Sequence, residues 1–350
     1  MSVFGAWSTH HWFWVWLLYS ACAGTLTLWV VNRCAHEMSL GAISTRIVLL
    51  AVALHPYLIF STRVPALPVT LTLICTIVAW TTIRFIKRKG RHGLGLGLAW
   101  GIGALTHGSF LPLMAPYFVS LLLLSTGPWQ RRVKDLLVAS FACLLLVAPW
   151  TLRNQITFGS FIPVATGSGL QYWLGDAIYF QGDRKIGSAF ERVKVDFREK
   201  TGRDLILDHG GVLDLADDKE LSQSAKSQLS GDPVIAVKRL LIGLPLFWTT
   251  MDGGWRKTMI VATLNLPVVL LFVVTFITLL VRSRGNRPWF ACCFFLLGYW
   301  ALFALVQAVG PYFVSVIPCL FLLLVSGTSE AFRRDGLNGR DRPPGRPTLP

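Results

Sequence analysis

A handful of polar residues stand where chemistry at a membrane surface could occur. Arg153 and Asn154 follow Pro149-Trp150 at the end of an apolar run. An arginine there can clamp a lipid phosphate through paired charge-assisted hydrogen bonds. It can equally snorkel to the interface beside an aromatic-belt tryptophan. His107, and His55 just before Pro56, lie at the ends of other apolar runs, as substrate-facing groups or as satisfied helix-end histidines. Arg63 breaks the charge pattern of the short loops, so phosphate binding and plain surface exposure both fit it. Lys238 and Arg239 can meet headgroups, and ordinary attraction to anionic lipid explains them equally well. Asp217, Asp218 and Glu220 form an acidic patch near a helix start, where capping and dipole compensation account for them. A metal site would need histidines or more converging carboxylates, and only His209 is near in sequence. No metal and no cofactor is expected.

The elements that position these residues follow from composition. The 350 residues are 53% hydrophobic and 15% charged, against about a quarter charged in soluble chains. Apolar blocks of roughly 17–24 residues alternate with basic clusters, the pattern of a multi-span helical membrane protein. A soluble single-core enzyme, a secreted disulfide module and a coiled coil are excluded. The net charge of +15 lies in loops between spans, so nucleic acid is not expected as a partner. All seven cysteines lie in or beside apolar blocks and read as small buried hydrophobes. Met1 to His11 holds no Lys or Arg, so no cleavable signal is expected.

The expected fold is an all-α integral membrane protein of about nine transmembrane helices with one mainly helical extracytoplasmic domain. Spans are read at 12–31, 46–62, 66–83, 92–108, 110–127, 135–151, 258–281, 288–308 and 311–328. They make six spans within 1–151, an extracytoplasmic domain over 152–257 and three spans within 258–328. A basic tail over 329–350 is expected to be disordered. With the N-terminus outside, the basic residues of the other short loops and the tail all fall on the cytoplasmic side, and only Arg63 falls outside. In the domain, 188–200 and 216–229 read as helices. The stretch 233–250 reads as an amphipathic helix on the membrane surface, begun by Asp232 and Pro233. Past the boundary residue Asp135 the spans hold no acid, which argues against a coupled transporter. Gly93, Gly97 and Gly101 recur every four residues, as close helix packing requires; no strand precedes them to make a phosphate loop.

Ala148-Pro149-Trp150-Thr151-Leu152-Arg153-Asn154, then Phe158-Gly159, Pro163 and Gly169 to Gly175-Asp176, resembles the GT-C membrane glycosyltransferases. The type is that of the protein O-mannosyltransferases and aminoarabinose transferases (glycosyltransferase family 39-like). Leu221 to Pro233 with Phe247-Trp248, Gly97 to Pro112, and Tyr312 to Pro318 are similar to further elements of that family, so the resemblance covers about residues 3–330. It implies a sugar carried on polyprenyl or dolichyl phosphate in the outer leaflet, membrane lipids as surroundings, and inverting transfer to an acceptor lipid, glycan or protein. A bacterial inner membrane is the expected location, with the C-terminus cytoplasmic by the charge pattern. Arg153, Asn154, Arg63, His107, His55, Lys238 and Arg239 are the candidate contacts to the lipid phosphate or substrate. The family's general base lies in a first external loop bearing Asp-Glu. Val3-Phe4-Gly5 resembles the Phe-Gly before the family's second span, so that loop is expected to be absent here. The family's Arg-Tyr and Thr-Arg are replaced by Gly310-Pro311 ahead of Tyr312 and by Thr106-His107. The chain therefore reads as a membrane glycosyltransferase. The alternative is a non-catalytic relative that binds the lipid-linked sugar or partners another transferase, and a flippase or transporter comes after both.

Overall fold

A computed structural model describes residues 9–62, 67–87, 92–183, 185–205, 213–249, 255–282, 286–307 and 311–340. Among these residues there is no β-strand, and the fold is built from helices alone. Six of them are long and apolar enough to cross a membrane: Trp14–Glu37, Leu67–Lys87, Trp129–Phe158, Thr258–Val281, Arg287–Val306 and Tyr312–Glu330. The protein is a multi-pass helical membrane protein.

The N-terminal half runs α1 (Thr9–Glu37), α2 (Ala42–Ala53), α3 (Pro56–Ser61) and α4 (Leu67–Lys87), then α5 (Gly93–Thr106), α6 (Phe110–Leu124) and α7 (Trp129–Phe158). Each expected apolar block is helical, with different bounds. The block at 46–62 is two helices, because Pro56 cannot continue α2 and instead opens α3 with extended backbone at His55. α2, α5 and α6 have 12, 14 and 15 residues, short of the six long helices. Within the apolar helices, threonine hydroxyls are satisfied by the carbonyl four residues back, as at Thr27, Thr72, Thr76 and Thr275.

The middle of the chain forms α8 (Ser168–Phe180), α9 (Ile186–Thr201), α10 (Leu215–Gly231) and α11 (Pro233–Thr249). Asp214 caps α10 from its side chain, and Asp232 accepts from the Val234 amide at the start of α11. The chain returns through α12 (Trp255–Arg282) and α13 (Arg287–Val306), then a 3₁₀ helix (Pro311–Val316) and α14 (Ile317–Arg340). The helical backbone of α14 continues to Arg340, so the first part of the tail is an extension of the last span. Residues 341–350 lie outside the described residues.

Packing fixes helix directions. Gly93, Gly97 and Gly101 of α5 meet Asp135, Ala139 and Cys143 of α7 in the same order, so α5 and α7 are parallel and α6 is the return between them. Tyr19 hydrogen-bonds Thr70 at one end of α1 and α4, while Lys87 and Arg84 reach Glu37 at the other, so these helices are parallel too. Arg132 donates to the Leu122 carbonyl and Arg287 to that of Leu124. These contacts place Arg84, Lys87, Arg132 and Arg287 at one end of the bundle, the basic end. The opposite end, from which α8–α10 extend, is the domain end. Between them the core is aromatic: Trp100 packs on Phe110, Tyr117 and Phe295, and Trp289 is fully buried.

α11 departs from the surface-lying helix expected of 233–250. Arg239 meets the Leu305 and Val306 carbonyls, Gly243 abuts Ala304, and the Trp300 indole donates to the Leu244 carbonyl. Successive contacts therefore run backwards along α13, and α11 descends its flank antiparallel. Trp248 reaches the level of Trp300, about 9 Å below the end of α13 at about 1.5 Å per residue. The physical reason is Gly243: with no side chain there, two backbones can touch.

Candidate functional site

Arg153 and Asn154 lie within α7, whose last two turns continue past Pro149 to Phe158, rather than beyond its end. Asn154 is buried and donates from Nδ2 to the Ile162 and Val164 carbonyls at 3.1 and 3.4 Å. The Trp150 indole donates to Val164 O at 2.8 Å and Thr151 Oγ1 to Pro163 O at 2.7 Å. Three residues of the Pro-Trp-x-x-Arg-Asn stretch thus strap the segment after α7 back onto the helix, and Gly159 (φ 64°) makes the reversal possible. Arg153 is left exposed, its guanidinium 4.9 Å from the centre of the Trp150 ring and donating to Asn154 Oδ1 at 3.1 Å. Among the described residues it has no carboxylate partner.

His55 and His107 both reach the domain end, on either side of the 3₁₀ helix. The His107 ring lies 5.4 Å from Tyr312 and 5.6 Å from Phe303, with Nδ1 2.7 Å from Ser109 Oγ. His55 is buried and packs 5.9 Å from both Tyr57 and Phe321, and Tyr57 in turn meets Phe313. Its Nδ1 has no hydrogen-bond partner among the described residues. No contact among those residues joins either histidine to Arg153. Arg63 and His209 lie outside the described residues.

The two basic residues of α11 separate. Lys238 is exposed. Arg239 is fully buried, so it cannot meet headgroups, and the reading of it as a lipid contact is corrected here. Its Nη2 donates to Asp176 Oδ1 at 3.0 Å and Tyr172 O at 2.9 Å; Nη1 donates to Leu305 O at 3.2 Å and Val306 O at 3.4 Å. The guanidinium carbon lies 3.6 Å from the Tyr172 ring centre. The last carbonyls of α13 have no amide partners within the helix and carry partial negative charge, so a cation there is doubly favourable. Tyr179 Oη adds a bond to Ala304 O at 2.9 Å. Gly175 is needed because a Cβ at that position would stand 2.0 Å from Val306 O.

This junction of α8, α11 and α13 was not legible as such. The signal available was a lone arginine among Val234, Ile235, Val237, Leu240 and Leu241, which a buried acid must answer. Burial raises the Asp176 carboxyl above its ordinary range, and the Arg239 guanidinium opposes that shift. Asp217 is raised by burial in the same way, with Arg203 opposing at 3.4 Å. No group of three metal-ligating side chains occurs among the described residues. The chain matches no protein-family model, no curated protein and no solved structure.

Proposed function

We propose that this protein is a membrane glycosyltransferase of the lipid-phosphate-sugar type, working at the domain end of the bundle. In this reading α2–α3, α5 and α6 cross with the six long helices to make nine spans. The basic end is cytoplasmic and α8–α10 stand outside, consistent with the basic residues gathered by Glu37, Leu122 and Leu124. The membrane is the bacterial inner membrane. The acceptor oxygen replaces the phosphate oxygen at C1 of the sugar, its proton goes to a base, and polyprenyl or dolichyl phosphate leaves as an anion.

The observation that carries the reading is Arg153. It is an exposed guanidinium at the domain end of a long apolar helix, steadied by Trp150 and Asn154, with most of its donors unused. Such a group suits a phosphate held at the membrane surface. The Arg153→Ala variant in lipid nanodiscs is expected to bind polyprenyl phosphate about tenfold or more weakly, the loss of a charge-assisted bond of ~1.5–3 kcal/mol. Its thermal stability should stay unchanged. Equal binding by the variant would remove Arg153 from the site.

The non-catalytic reading draws on the acids of the outer segment: Asp176, Asp183, Asp204, Asp217 and Glu220 are each committed to an arginine, while Asp196 and Glu199 stand exposed without one. Release of free polyprenyl phosphate from a lipid-linked sugar by the purified chain would establish turnover. Binding without release would leave a lipid-sugar-binding protein.

A further inference from the structure

Between α9 and α10 lies a cleft of about 390 Å³, within the ~300–1,000 Å³ range of small-molecule sites. Its origin is a packing asymmetry. α8 packs against both α9 and α10, and Gly169 brings α8 so close to α10 that a Cβ there would stand 2.4 Å from the Ser222 amide nitrogen. α9 and α10, by contrast, barely touch each other among the described residues. Polar side chains bridge the gap: Lys200 Nζ of α9 to Ser224 Oγ at 2.6 Å, and Arg203, just past α9, to Glu220 at 2.6 Å.

The floor is aromatic. The Trp173 ring is half-buried and fixed by its Nε1 bond to Leu221 O at 3.2 Å, with buried Phe197 beside it. The rim offers Asp196, Gln223 and Ser227, all exposed, with Lys200 over the indole at 5.9 Å. A flat apolar platform ringed by a carboxylate, a carboxamide, a hydroxyl and an ammonium suits a ligand with an apolar face and many hydroxyl groups at its edge. Glu220 is paired with Arg203, and the remaining lining charges, Asp196 and Lys200, are opposite in sign, so the lining asks for no net charge.

We propose that this cleft is a binding site for a neutral saccharide of about disaccharide size, one sugar ring lying on Trp173 with its hydroxyls bonded to Asp196 and Gln223. The proposal is independent of the lipid-phosphate reading, and no lipid phosphate enters its test. Full-length protein in lipid nanodiscs, free of maltoside detergent, is titrated calorimetrically with maltose, cellobiose, lactose and diacetylchitobiose, and with a polar control peptide. At least one disaccharide should bind, with affinity unchanged between low and high salt. Asp196→Asn and Gln223→Ala should each weaken it by about fivefold to tenfold. Both stand at exposed positions outside the core, so the fold survives them. Trp173→Ala should remove binding, and Trp173→Phe should restore part of it. Failure of all four sugars to bind, wild-type affinity in both rim variants, or binding of the peptide instead would overturn the proposal.

Discussion

At the scale of single residues, the buried pair Asp176–Arg239 decides more than any exposed charge. Removing one member of a buried pair leaves the other uncompensated, and Arg239 also serves the Leu305 and Val306 carbonyls. Arg239→Met should therefore destabilise the folded protein by roughly 3–5 kcal/mol, read as a large fall in Tm in detergent. Asp176→Asn should cost less, because the amide oxygen still accepts from the guanidinium and the Arg239 cation, though it loses its counter-charge, keeps the Tyr172, Leu305 and Val306 carbonyls. Adding Asp176→Asn to Arg239→Met should recover part of the loss, since the two effects are coupled. The pH dependence has a definite sign. Burial holds the Asp176 carboxyl above its unfolded range, so its contribution to stability is full below about pH 3.9 and is lost as pH rises through the folded value. The Tm of the wild type relative to Asp176→Asn should thus improve as pH is lowered from 7 toward about 4; a relative fall would reverse the assignment. In the sequence Arg239 and Lys238 are adjacent and alike. Only the partner of Arg239, 63 positions away, tells them apart.

At the scale of elements, the glycine face of α5 is the clearest case of pattern becoming structure. The four-residue repeat was readable because a helix returns to the same face at that interval. Its partner was not, since any of the apolar helices could have supplied it. The contact with α7 now separates glycines that look equivalent in the sequence. A Cβ on Gly97 would lie 2.1 Å from the Ala139 carbonyl oxygen, backbone against backbone, whereas nothing lies within 4 Å of one on Gly95. Gly97→Ala should cost about 1–3 kcal/mol, and Gly95→Ala should be neutral or gain up to about 1 kcal/mol. Thermal unfolding of both variants in one detergent checks the pair, and similar shifts for the two would contradict the packing. The direction of α11 was hidden for a related reason. Lys238 and Arg239 among the apolar residues of Val234 to Trp248 read as the polar face of a surface-lying helix, whereas Gly243 meeting Ala304 sets it along α13. The helix α8 escaped notice because its glycines, Gly169 and Gly175, look like loop residues until the surfaces they abut are known.

At the scale of the whole molecule, the apolar blocks were legible because spanning helices need about 20 apolar residues. Loop charge led to the expectation that the short-loop basic residues share one side, and Arg84, Lys87, Arg132 and Arg287 do lie at one end. The candidate site was less legible. Trp150, Thr151 and Asn154 act as straps, leaving Arg153 alone facing outward. The proposed sidedness is open to a direct check. With Cys22, the exposed cysteine, replaced by serine, Ser227→Cys should react with an impermeant maleimide in sealed right-side-out vesicles. Lys134→Cys should react only after the vesicles are opened, and the reverse pattern would invert the topology. The parallel pairing of α5 with α7 also bears on how the chain is made. The glycine-lined face of α5 has no complement until α6 has turned back and α7 has been made. At about 5–20 residues per second that interval lasts several seconds. During it the short, glycine-rich α5 keeps its closest-packing surface bare, so the tightest helix pair of the N-terminal half closes only after its last helix is made.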